Sequence, residues 1–178
     1  MFTTVKKHLN DARVITSLCE AAENAAREAG TSKPGSEHFV LGALALPDQT
    51  AAATLTRLGV TREAFEKAVI SQFSSALQSI GVAVSSSDGL ADQPSTPSRL
   101  KTALYEAEPS GQSLVQRLAA TRKQRSTRAL LSADVLLAVA DEEFTVAARA
   151  FRTLGVLPEQ LQGAAIQCIA EVERRGDA

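Results

Sequence analysis

The chain is predicted to be all-α, built as two tandem four-helix repeats related by a pseudo-twofold axis, with no sheet. Two observations carry this. Apolar residues recur at three- and four-residue spacing along most of the chain, and Ala and Leu dominate them, with no Trp and one Tyr. That is the pattern of amphipathic helices packing closely, rather than of strands rich in β-branched and aromatic residues. The second observation is internal similarity at one fixed offset. Ser36–Val69 reappears at Ser132–Ala165, 96 residues later and without a gap. Phe39 matches Val135, Val40 matches Leu136, Leu41 matches Leu137, Ala51-Ala52 matches Ala147-Ala148, Leu55 matches Phe151, Phe65 matches Leu161, and Leu58-Gly59-Val60 matches Leu154-Gly155-Val156. A constant period of this kind marks a duplicated structural unit.

The 178 residues suit one compact domain with two halves sharing a core, and the 44% hydrophobic content supplies that core. Repeat one spans about 11–83, a linker about 84–96, and repeat two about 97–176.

In chain order, Met1–Asn10 reads as a short lead-in helix. The first long helix runs from about Asp11 to Ala29, with Val14, Ile15, Leu18, Ala22, Ala25 and Ala29 on one stripe, Asp11 as N-cap and Gly30 as terminator. After the Thr31–Gly35 loop, Ser36 is expected to cap a central buried helix, Glu37 to about Leu46, which Pro47-Asp48 ends. A third helix, about Gln49 to Leu58, stops at Gly59. Thr61 caps a fourth that carries Phe65, Ala68, Val69, Phe73, Ala76 and Leu77 inward.

Val84–Ser98 is rich in Ser and Pro and reads as the linker. A helix resumes near Pro97, with Leu100, Leu104 and Tyr105 on its face. Glu108–Gly111 interrupts it, and another helix covers about Gln112–Arg125. Ser132 then caps a short apolar helix, Glu142–Leu154 forms the next, and Pro158 opens the last, carrying Leu161, Ala165, Ile169 and Val172. Leu58 and Leu154, the matched positions before each glycine, are expected in the core.

Several function classes are disfavoured. The net charge of -1 announces neither a nucleic-acid binder nor an acidic tail. Cys19 and Cys168 sit inside helical patterns without short spacing, as reduced buried thiols do, and with only His8 and His38 beside them no metal set is expected. The N-terminal segment lacks an apolar signal core and no run has transmembrane length, so a cytoplasmic location is expected. No nucleophile, catalytic triad or cofactor motif stands out, and the chain is expected to be non-enzymatic.

The run Gly35-Ser36-Glu37-His38, then Phe39–Leu44, Ala51-Ala52 and Leu58-Gly59-Val60, resembles the Clp N-terminal repeat, whose pattern is roughly G-T-E-H-L-L-L-G-L-L, a short loop, A-A and L-G-V. Thr96-Pro97-Ser98-Arg99-Leu100 is similar to the opening of that family's second repeat. The resemblance covers about Asp11 to Arg175. It implies the double four-helix domain at the front of ClpA- and ClpC-type AAA+ unfoldases, which receives substrates and adaptors. No G-x-x-x-x-G-K-[ST] phosphate loop occurs in the chain, so the resemblance implies a free-standing N-domain. Its partners would be a Clp-type unfoldase, adaptor proteins or substrate polypeptides, and it would modulate ATP-dependent proteolysis.

Three candidate sites follow. At Gly35, Ser36 and Glu37, the free N–H groups of a helix N-terminus and the Ser36 hydroxyl form an anion pocket, and Glu37 accepts a guanidinium. The resemblance implies that such a pair reads phosphoarginine. The bland alternative is that Ser36 only caps and Glu37 only complements the helix dipole. Repeat two has Ala133 where repeat one has Glu37, so one site rather than two is expected. His38 is expected to be a packed or hydrogen-bonded histidine.

The second candidate is the basic run containing Arg117, Arg122, Lys123, Arg125 and Arg128, which suits an acidic partner surface. It also carries the rival reading of a helical nucleic-acid-binding or regulatory protein, against which stand the lack of interleaved aromatics and the alternative of a solvated helix face. The third is a groove between the repeats.

Overall fold

A computed structural model describes residues 2–79, 106–124 and 128–176, with side chains for 11–74, 106–122 and 128–175. The expected linker, the helix expected near Pro97, and Arg125 lie outside the described residues, as does the side chain of Lys123. The described residues are all-helical: α1 (Phe2–Glu28), α2 (Ser36–Leu44), α3 (Thr50–Arg57), α4 (Arg62–Ser79), α5 (Pro109–Gln124), α6 (Ala133–Ala140), α7 (Val146–Thr153) and α8 (Pro158–Gly176).

The stops follow local chemistry. Gly59 and Gly155 close α3 and α7 with φ of +69° and +76°, a left-handed conformation that glycine adopts without a Cβ penalty. The Val60 N–H then bonds Leu55 O, and the Val156 N–H bonds Phe151 O. The Thr61 hydroxyl accepts the Ala64 N–H at the start of α4, as expected of a cap.

Other boundaries depart from expectation. The lead-in and the first long helix are one continuous α1, so Asp11 is no N-cap. It lies in the helix interior, buried, and its carboxylate accepts the Leu130 N–H at 2.9 Å. Gly35, not Ser36, is the N-cap of α2. Helix α5 begins at Pro109, inside the segment expected to interrupt it. The Glu108 N–H bonds Pro34 O, and a Cβ on Gly111 would lie 2.6 Å from the same oxygen. The beginning of α5 therefore packs directly on the loop before α2, and only a glycine fits at that contact.

α2 and α6 are the central helices, each buried over nearly its whole length. α2 lies closest to α1, where a Cβ on Gly42 would stand 2.9 Å from Ala22 N. The halves interlock crosswise, α3 against α8 and α4 against α7. At the second contact the Phe65 and Phe151 rings sit 4.8 Å apart, and the Gln72 amide donates to Thr153. At the first, Arg57 reaches Gln167 and Glu171.

Four expected core positions are corrected. Leu58 and Leu154 are only partly buried, because each occupies the C-cap position where its helix unwinds. Phe73 is 45% exposed, since eight residues of helix rotate it about 80° away from Phe65. Val172 is also exposed, near the end of α8.

Candidate functional site

The Gly35–His38 motif is assembled in the interior. Ser36, Glu37 and His38 are all buried. The Gly35 N–H donates to His38 Nδ1 at 2.9 Å. Nδ1 is thus an acceptor, so the ring proton sits on Nε2, 3.4 Å from the Thr31 hydroxyl, which in turn donates to Ala26 O. Burial holds the His38 pKa below its ordinary value, against the opposing pull of Glu37 and Glu108. The 3.3 Å approach of Glu37 Oε1 to Nδ1 is therefore a contact with a neutral ring rather than an ion pair.

The donors expected to form the anion pocket are engaged within the chain. The Ser36 N–H bonds the Ser110 hydroxyl at 3.1 Å, and the Ser36 hydroxyl donates to Glu37 Oε2 at 3.3 Å. That hydroxyl also accepts the Ala147 N–H of α7 at 3.4 Å. The pocket read from local sequence is filled by the start of α5 and the start of α7, neither of which a local motif reveals. Gly35 has a steric role here, because a Cβ would lie 2.7 Å from Glu37 Oε1.

The matching serine, Ser132, takes part in a denser network. Its hydroxyl accepts the Ala51 N–H of α3 at 3.0 Å and donates to Asp48 Oδ1 at 2.5 Å. Thr50 accepts the Ala133 N–H of α6 and also donates to Asp48. Asp48 further accepts the N–H groups of Ser132 and Thr50, so one carboxylate joins α3 to α6. Sequence reading treated Asp48 only as a helix breaker.

What lies open is a cavity of about 570 Å³ within the first half, between the C-terminal end of α1, the start of α2 and one face of α4. Glu37, His38 and Leu41 line it from α2, Glu28 and Ala29 from the end of α1, and Glu66, Val69, Ile70 and Phe73 from α4. The last four fall at helical spacing on one face. Ile70 and Phe73 are solvent-exposed, while the Arg62 guanidinium is bound to Glu66 at 2.8 Å. Sequence reading missed this site by assigning Phe73 to the core. The groove anticipated between the halves is instead occupied by packed helices, the Phe65–Phe151 contact and the Asp48 network.

Arg117, Arg122 and Arg128, the arginines of the basic segment whose side chains are described, each lie against a carboxylate. Arg117 pairs with Glu142 at 2.9 Å, and Arg122 Nε lies 3.4 Å from the buried Asp11 carboxylate. Arg128 grips both oxygens of the buried Asp134 and reaches Glu173. Asp134 also accepts the Leu131 N–H at 2.9 Å, the role that His38 plays for Gly35 in the first half. These arginines thus act within the fold, and the expected free cationic patch is not formed by them.

Neither cysteine is in a disulfide, and Cys168 is buried and Cys19 partly so. Among the described residues there is no cluster of three or more metal-ligating side chains, and no helix is long and apolar enough to cross a membrane. No family model and no curated protein matches the chain.

Proposed function

We propose that this chain is a non-enzymatic protein-binding module of the Clp N-domain type, formed by duplication of a four-helix unit. It would engage a Clp-type AAA+ unfoldase, its adaptors or its substrates in the cytoplasm and so modulate ATP-dependent proteolysis. The duplication is supported by roles repeated at the 96-residue offset: paired glycine stops, paired serine caps and the crosswise contacts of α3 with α8 and α4 with α7.

The observation that carries the binding reading is the open cavity beside α4, with Ile70 and Phe73 exposed on its wall, while the polar groups of the motif are engaged internally. Exposed apolar side chains flanking a cavity of this size suit a protein ligand. Immobilised protein exposed to lysate of its own cell should retain a Clp unfoldase, an adaptor or its substrates. Recovery of no Clp component and no protein ligand overturns the proposal.

A phosphoarginine reader at Gly35, Ser36 and Glu37 is a narrower form of the same proposal, and it requires Ser110 to release the Ser36 N–H. Calorimetry with phosphoarginine should then show one site that Glu37→Ala abolishes. Unchanged affinity in that variant removes this narrower form. The nucleic-acid alternative is disfavoured by the carboxylate partners of Arg117, Arg122 and Arg128.

A further inference from the structure

We infer that the cavity between α1, α2 and α4 takes a helical peptide segment that presents an apolar side chain with a basic side chain beside it. This rests on the protein-binding reading and specifies the partner's chemistry. Val69, Ile70 and Phe73 form an apolar wall on α4 and Leu41 continues it on α2, with Ile70 63% exposed. An apolar anchor inserted there removes those side chains from water, the usual driving force for a helix laid in a groove.

The charges select the sign of the flanking group. Glu28, Glu37 and Glu66 line the cavity against one guanidinium, that of Arg62, which Glu66 already binds. The burial that keeps His38 neutral removes it as a counter-charge. Glu37 offsets the positive end of α2, whereas Glu28 stands in the last turn of α1 and adds to the negative end of that helix. The lining itself thus carries three carboxylates against one guanidinium, and an arginine or lysine next to the apolar anchor meets complementary potential. Gly35 and Ser36, the donors expected for the phosphate of a modified arginine, are not among the residues that line this cavity.

The test uses the full chain and three short fluorescein-labelled helical peptides, read by fluorescence anisotropy at low salt. One carries leucines on one face flanked by arginines, the second replaces arginine with glutamate, and the third replaces leucine with serine. The leucine–arginine peptide should bind, and the other two should bind about tenfold more weakly or less. The double variant Ile70→Ser/Phe73→Ser, which alters exposed side chains, should lose the peptide while keeping its thermal transition. Glu28→Lys should weaken binding at low salt and have less effect at high salt.

Absence of binding by the leucine–arginine peptide, equal binding of the glutamate peptide, or undiminished binding by the double variant each overturns the inference. If Clp components from lysate are then retained equally by wild type and the double variant, the module reading stands and only the cavity assignment falls.

Discussion

Ser36 and Ser132 each cap a helix of the opposite half: the Ser36 hydroxyl accepts the Ala147 N–H of α7, and the Ser132 hydroxyl accepts the Ala51 N–H of α3. Both serines stand at the start of a central helix, and both receiving N–H groups lie 15 residues further along the matching pattern in the other half. The N–H groups of Ala51 and Ala147 are thus satisfied only when the halves dock. This couples the two halves through directional bonds in addition to apolar burial.

The two caps should differ in cost. Ser132→Ala leaves the buried Ala51 N–H without its acceptor and removes one donor from Asp48, and should cost about 2–3 kcal/mol. Ser36→Ala loses the longer bonds at 3.3 and 3.4 Å and should cost about 1 kcal/mol. Urea unfolding of both variants measures the difference, and equal losses would contradict the ranking.

Two glycines within helices should respond with opposite signs. Gly42→Ala drives a methyl into the backbone of α1 near Ala22, so stability should fall by about 1–3 kcal/mol. Around Gly163, in α8, the Cβ position is empty to 4 Å. Gly163→Ala should therefore stabilise by about 0.5–1 kcal/mol through helix propensity. Thermal melts of the pair check both directions.

His38 makes stability pH-dependent in a defined sense. Its pKa in the fold lies below 6.5, so the unfolded chain binds the proton more tightly. The contribution of neutral His38 is complete above 6.5 and is lost as pH falls through the lower folded value. Protonation also removes the Nδ1 lone pair that accepts the Gly35 N–H. Denaturation midpoints should drop on acidification through this window, and His38→Gln, which cannot titrate, should flatten that slope. A slope unaltered by the substitution would refute the assignment.

Arg128→Gln should destabilise by about 3 kcal/mol, because it removes the guanidinium that pairs with both oxygens of the carboxylate of Asp134, a residue 2% exposed. On a heparin column, the wild-type chain should elute without steep salt-dependent retention, since Arg117, Arg122 and Arg128 are engaged by carboxylates. Strong retention would revive the nucleic-acid reading.

The helical spacing of Leu18, Ala22 and Ala25, the glycine stops at 59 and 155, and the 96-residue offset are properties of short stretches or of the whole string. They determined the all-helical class of the fold and the glycine-closed ends of helices such as α3 and α7 without coordinates. The face of α4 that carries Phe73 could not be assigned that way, because two faces of that helix are apolar and only the docking of α7 decides which is covered.

Nor could the serine caps or the Arg128–Asp134 pair be read locally. A capping signature identifies a hydroxyl near a helix start, whereas the N–H that Ser36 satisfies lies 111 residues away. The anion pocket expected at Gly35 and Ser36 was filled for the same reason, by Ser110 arriving from 74 residues away. Hydrogen bonds and charges are spent on whatever partner the fold brings within about 3 Å. Sequence periodicity sets which side chains turn inward, and tertiary packing alone sets which polar groups they meet.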